Sequence, residues 1–156
     1  MFERILVCVD GSATSNKALA TATQMAGHAG GRAHLRLLHI LDAPLALGGV
    51  STFTQDLSDM QNTFDASRDV GHILLDKAQQ IVHAAGLEAD TELLERYGDD
   101  LGSMVASAAL RWKADLVVVG THGRHGVGRV LLGSGSEDIV RKALVPVLVV
   151  RLPVAA

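Results

Sequence analysis

One cysteine, Cys8, is all that the chain contains, which excludes an internal disulfide and a cysteine-based metal cluster. That composition agrees with a reducing compartment, and the expectation is a cytoplasmic protein. Basic runs are missing as well. The 14 lysines and arginines are scattered and the formal charge is -3, leaving no electrostatic footprint for nucleic acid or an anionic membrane surface. Any phosphate must therefore be held by local geometry. No cationic segment followed by an apolar stretch of signal-peptide length opens the sequence, and nowhere do about 18 apolar residues run together. The chain thus reads as neither exported nor membrane-spanning. Repeats, low-complexity tracts and composition shifts are lacking too, and 48% of the 156 residues are hydrophobic, so one domain over residues 1–156 is expected.

What is present is an alternation of two periodicities. Ile5 to Val9 is a short β-branched run stopped by Asp10-Gly11-Ser12, as expected for a strand buried on both faces. Ala18, Leu19, Ala22, Met25 and Ala26 then recur at the helical period, and Gly27 or the Gly30-Gly31 pair can end that helix. His34 to Ile40 reads as a second strand. Val70, Ile73, Leu74, Ala78, Ile81, Val82 and Ala85 stripe a second helix that Gly86 can close. Ala89 to Glu95 alternates polar with apolar side chains, the pattern of an edge strand, and Leu101, Val105, Ala108 and Trp112 stripe a third helix behind Asp99 and Asp100. Leu116 to Val119 is a fourth strand, Ile139, Val140, Ala143 and Leu144 stripe a last short helix, and Val147 to Val150 follows Pro146 as a fifth strand.

Helices between successive strands force parallel neighbours and right-handed crossovers. The predicted fold is therefore α/β, a single three-layer α/β/α domain around a five-stranded, parallel, doubly wound sheet, whose ligands bind beyond the strand C-termini. Between Asp42 and about Asp65 the pattern lapses, longer than an ordinary βα connection, and reads as a flap over such a site.

After the fourth strand the sequence places six glycines in the sixteen positions from Gly120 to Gly135. Glycines permit positive φ and close approach of a ligand, and successive exposed amides in such turns form a concave anion site. The loop ends where the last helix begins, so free amides near Ser134 to Ser136 and the helix dipole add to the attraction. Phosphate is the natural occupant. The bland alternative is a capping box, because Ser134-x-x-Glu137 has the spacing for one. A P-loop is disfavoured, since Gly128-x4-Gly133 is followed by Ser134 where lysine is needed, and Leu131 stands where a dinucleotide fingerprint has its third glycine.

The spacing Gly120-x2-Gly123-x9-Gly133-Ser134 after a Leu-Val-Val-Val strand resembles the nucleotide loop of universal stress proteins. The resemblance runs on through Ile-Leu-Val-Cys-Val-Asp10-Gly-Ser, Leu-Leu-His-Ile40 and Pro146-Val-Leu-Val-Val, and so covers nearly the whole chain. It implies a Rossmann-like fold related to the adenine nucleotide alpha hydrolases, and a stress-response protein that binds ATP or another adenine nucleotide, with magnesium as a candidate companion. By the same resemblance Asp10 lies near the adenosine, Ile40 meets adenine, and Gly120, Gly123, Gly133, Ser134, Gly135 and Ser136 follow ribose and phosphates. Family members commonly carry valine where this chain has Gly135, a departure that bears on affinity. The family also pairs last strands into dimers, and Val147 to Val150 is an apolar strand of the kind that needs covering.

Other residues weigh less. His122 and Arg124 suit the mouth of a phosphate site, with solvated loop residues as the alternative. His122 and His125 have no third metal ligand at a telling spacing. Asp10 can serve magnesium or a ribose hydroxyl, or simply shape its turn. Cys8, inside an apolar strand, reads as a small core residue. The rival functions are a slow nucleotide hydrolase or adenylyl transferase, for which no convincing acid-base pair is present, and an interaction module that keeps the fold without using the site.

Overall fold

Buried β-branched runs and amphipathic stretches alternate along the chain, and the computed structural model, which describes residues 2–30, 32–43, 54–121 and 132–153, turns that alternation into layers. The order is β1 (Arg4–Cys8), α1 (Ala13–His28), β2 (His34–Asp42), α2 (Thr54–Ala84), β3 (Ala89–Arg96), α3 (Leu101–Trp112), β4 (Leu116–Gly120), α4 (Ser134–Lys142) and β5 (Val147–Val150). All neighbours in the sheet are parallel, in the order β3-β2-β1-β4-β5. Parallel pairing requires a crossover between strands, which is why helices alternate with strands in sequence.

Strand side chains point alternately to the two faces. Ile5 and Val7 of β1 therefore enter one core with Leu35, Leu37, Ala18, Ala22 and Val82, while Leu6 enters a second core with Val105, Ala108, Trp112, Val117 and Ile139. α1 and α2 cover the first face, α3 and α4 the second, giving the expected three layers. The entry to β1 is held by Asp115, whose two carboxylate oxygens accept the Glu3 and Arg4 amides at 2.8 and 3.0 Å. Trp112 closes the bottom of the second core with the guanidiniums of Arg4 and Arg36 stacked 4.6 and 4.9 Å from its ring centroid.

Three helical details differ from the sequence expectation. α2 begins at Thr54, so much of the stretch read as a flap is helix, and residues 44–53 lie outside the described residues. The buried face of α2 coincides only in part with the apolar stripe read from sequence: Ala78 and Val82 are buried and Leu74 packs against the core as expected, but Leu75 joins them, whereas Val70, Ile73 and Ile81 are more than half exposed. Gly71 sets that phase, because a Cβ there would lie 3.0 Å from Leu93 and 3.1 Å from His39. In α4 only Ile139 of the expected stripe is buried, and Val140 and Leu144 face outward.

Candidate functional site

The strand order reverses between β1 and β4, since the connection from β1 leads to β2 on one side and that from β4 to β5 on the other. In a doubly wound sheet the loops leaving two such strands part in opposite directions and open a crevice at their C-terminal ends. Asp10 and Gly120 stand at its two lips.

The β1 lip is a tightly bonded turn. Gly11 takes φ of +79°, a left-handed conformation that glycine adopts without strain. The Ser12 amide donates to Asp10 Oδ1 at 2.8 Å, the Asp10 amide donates to Ser15 Oγ at 3.0 Å, and Ser12 Oγ accepts the Ser15 amide at 3.2 Å as the N-cap of α1. The turn is anchored from the neighbouring strand. The ring of buried His39 donates from Nδ1 to the Val9 carbonyl at 2.7 Å, beyond the last Val9 amide bond to Leu38. His39 was not singled out as functional in the sequence, where a lone histidine in an apolar run looks like packing. Ile40 follows it on the opposite face, partly buried against the second core.

The β4 lip depends on close approach. A Cβ on Gly120 would sit 2.7 Å from the carbonyl carbon and Oγ1 of Thr14 and 2.9 Å from the Ser15 nitrogen, so only glycine lets the end of β4 meet the first turn of α1. Residues 122–131, including His122, Gly123, Arg124 and His125, lie outside the described residues. Thr121 itself closes the two ends of that stretch. Its carbonyl accepts the Gly133 amide at 2.7 Å and the Ser136 hydroxyl at 2.6 Å, while its amide donates to Val150.

These bonds define the start of α4. Gly133, not Ser134, is the N-cap, and no side chain caps the helix; Glu137, the other half of the anticipated capping box, instead pairs with Arg141 at 2.7 Å. The first intrahelical bond runs from the Glu137 amide to the Gly133 carbonyl at 2.9 Å. Among the described residues no group accepts from the amides of Ser134, Gly135 and Ser136. Three donors and the positive end of the helix dipole are therefore left for an anion. Ser136 is buried and its hydroxyl is spent on Thr121, so only its backbone is left for a ligand. Gly135 has a packing reason as well, since Leu101 Cδ2 would lie 2.8 Å from a Cβ there: the leucine fills the volume that a larger residue would occupy.

Cys8 ends β1 next to the crevice, partly buried against the second core. Burial first and the nearby Asp10 carboxylate second push its thiol up to about 12 from an ordinary 9.0. Among the described residues no cluster of histidine, cysteine and acidic side chains has the arrangement of a metal centre. No helix among them is long and apolar enough to cross a membrane.

The fold and the crevice define a doubly wound α/β protein with an anion-ready helix start at its switch point. Residues 1–151 match the universal stress protein family, and the chain belongs to it. It is 29% identical to a universal stress protein of Methanocaldococcus jannaschii over 98% of this chain and 84% of that protein. Among solved structures it is similar to the universal stress protein of Archaeoglobus fulgidus in complex with dAMP, with TM-score 0.61 and 23% identity over 95% of this chain and 97% of that one. It is also similar to a family member from Arabidopsis thaliana with AMP bound, with TM-score 0.66 and 19% identity over 97% and 92% of the two chains.

Proposed function

We propose that this protein binds an adenine nucleotide, ATP foremost, in the crevice between β1 and β4, and that occupancy regulates a stress-response dimer in the cytoplasm. The observation that carries the reading is the uncapped first turn of α4, whose three amides face no acceptor among the described residues at the sheet's switch point. The bound dAMP and AMP of the two related structures share adenine and one phosphate, the pieces such a site would recognise. In this reading Ser134, Gly135 and Ser136 hold phosphate through their backbones, and Gly133 and Gly120 shape the path. Asp10 lies by the ribose and Ile40 meets the adenine face. His122 and Gly123 belong to the same loop, and magnesium would accompany a triphosphate.

Dimerisation is assigned to β5. The two sheet edges differ: β3 carries Asp90, Glu92 and Glu95, whereas β5 offers Val147, Leu148 and Val149, and exposed Leu110 and Leu144 border an apolar groove near its start. Charge protects an edge from pairing, and an apolar edge invites a second strand. Calorimetric titration of nucleotide-stripped protein with ATP, ADP, AMP and cyclic AMP, with and without magnesium and followed by product analysis, tests the reading. Saturable binding without product supports a nucleotide-gated protein. Catalytic product moves the assignment to a hydrolase or transferase, and no binding to folded protein refutes it.

A further inference from the structure

We propose that Asp138 is a positioning residue for the phosphate cradle, acting on nucleotide through the start of α4 without touching it. The inference rests on the nucleotide reading of the crevice and concerns what holds its phosphate end in place. α4 has only nine residues and one buried apolar anchor, Ile139, so its orientation must be fixed by something besides the core. That something is the first turn of α3. Asp138 Oδ2 accepts the Gly102 amide at 2.7 Å, one of the N-terminal donors that a helix cannot satisfy by itself. The other carboxylate at this turn is the helix's own N-cap, Asp100, which accepts the Ser103 amide at 2.7 Å. α3 is thus capped twice, once from within and once by its neighbour.

Charge and shape reinforce the junction. Lys142 Nζ lies 2.5 Å from Asp100 Oδ1 and 3.1 Å from Asp138 Oδ1, tying the two carboxylates together from the last turn of α4. At Gly102 a Cβ would come within 2.6 Å of the Asp138 carbonyl carbon, so the backbones of the two helices are in contact here. Leu101, the residue before, fills the hollow left by Gly135. Each link joins the first turn of α3 to α4, and Asp138 lies about one turn beyond the Ser134, Gly135 and Ser136 amides. A helix this short turns as a rigid body, so loss of the carboxylate re-aims those amides.

The test separates phosphate from the rest of the nucleotide. Calorimetry at a temperature where circular dichroism shows folded protein compares adenosine, AMP and ATP on wild type, Asp138→Ala and Asp138→Asn. Expected is a loss of about tenfold for AMP and ATP in Asp138→Ala, with adenosine changed less than about twofold and most of the loss rescued by asparagine, which keeps an acceptor for Gly102. Lys142→Met, which frees the carboxylate without orphaning the amide, should show the same selectivity at about threefold, and it carries the test if the alanine variant does not fold. Equal affinities for AMP and ATP across the variants, or a loss shared equally by adenosine, overturn the positioning role alone. A wild type that binds no nucleotide instead overturns the functional reading on which this one rests.

Discussion

Replacing Gly120 with alanine puts one methyl group where the structure has no room for it. The added carbon would meet the Thr14 carbonyl carbon and Oγ1 at 2.7 Å, and reaching the 3.4 Å of ordinary contact requires a shift of about 0.7 Å. Neither the carbonyl carbon nor the Ser15 nitrogen is the end of a flexible side chain, so β4 or α1 must move. Overpacking of this kind costs about 1–3 kcal/mol. Alanine recovers about 0.4–1 kcal/mol by restricting the unfolded chain. The clash wins, leaving a net destabilisation of about 1–2 kcal/mol and a fall in Tm of roughly 2–8 °C for a chain of this size. The moving parts are the lips of the crevice, so AMP affinity should fall too. Gly27, helical and with nothing within 4 Å of an added Cβ, is the control: alanine there should stabilise by about 0.5–1 kcal/mol. Thermal unfolding of both variants checks the pair. A Gly120→Ala protein as stable as wild type would refute the packing argument at the β4 lip.

Further outcomes follow from other parts of the structure. Gly135→Val should weaken nucleotide binding and lower Tm because Leu101 occupies the space, and Leu101→Ala in the same chain should restore both, as a double-mutant cycle would show. Cys8, with its thiol pushed up to about 12, holds roughly a thousandfold less thiolate near neutral pH than at its ordinary 9.0, so iodoacetamide at pH 8 should label it only after unfolding in urea. Its raised value also makes the neutral thiol's contribution to stability complete below pH 9.0 and lost as pH climbs toward 12. The Lys142 ammonium first, and the Ser103 amide second, hold the Asp100 carboxyl well below its ordinary 3.8, so the stability it adds is present above that value and lost as pH falls further. Acid titration of wild type against Asp100→Asn should show a stability difference that is level above about pH 5 and shrinks below about pH 4.

The strands were legible almost to the residue: a strand buried on both faces writes an uninterrupted apolar run, as Leu116 to Val119 does for β4, and the apolar edge run Val147 to Val150 is β5 unchanged. The edge position of β3 showed in its alternation. The stripe of α2 is legible only in part: Ala78 and Val82 are buried, but Gly71, held small by the closeness of His39 and Leu93, turns Leu75 inward and leaves Ile73 and Ile81 outside, and a glycine carries no apolar signal. The first turns of α2 escaped notice because, of the residues around Phe64, only that one is buried. At the crevice, Asp10 and the glycines announced themselves through turn chemistry. The commitments of Ser136 to Thr121, His39 to Val9 and Asp138 to Gly102 join residues 15, 30 and 36 positions apart, and no local pattern encodes them.

Amide chemical-shift mapping of isotope-labelled, nucleotide-stripped protein titrated with AMP and with adenosine tests the central claim most directly. The account expects both ligands to shift Asp10 and Ile40, and AMP alone to shift Ser134, Gly135 and Ser136 strongly. Saturable AMP binding that leaves those three amides where adenosine leaves them would contradict a phosphate site at the start of α4.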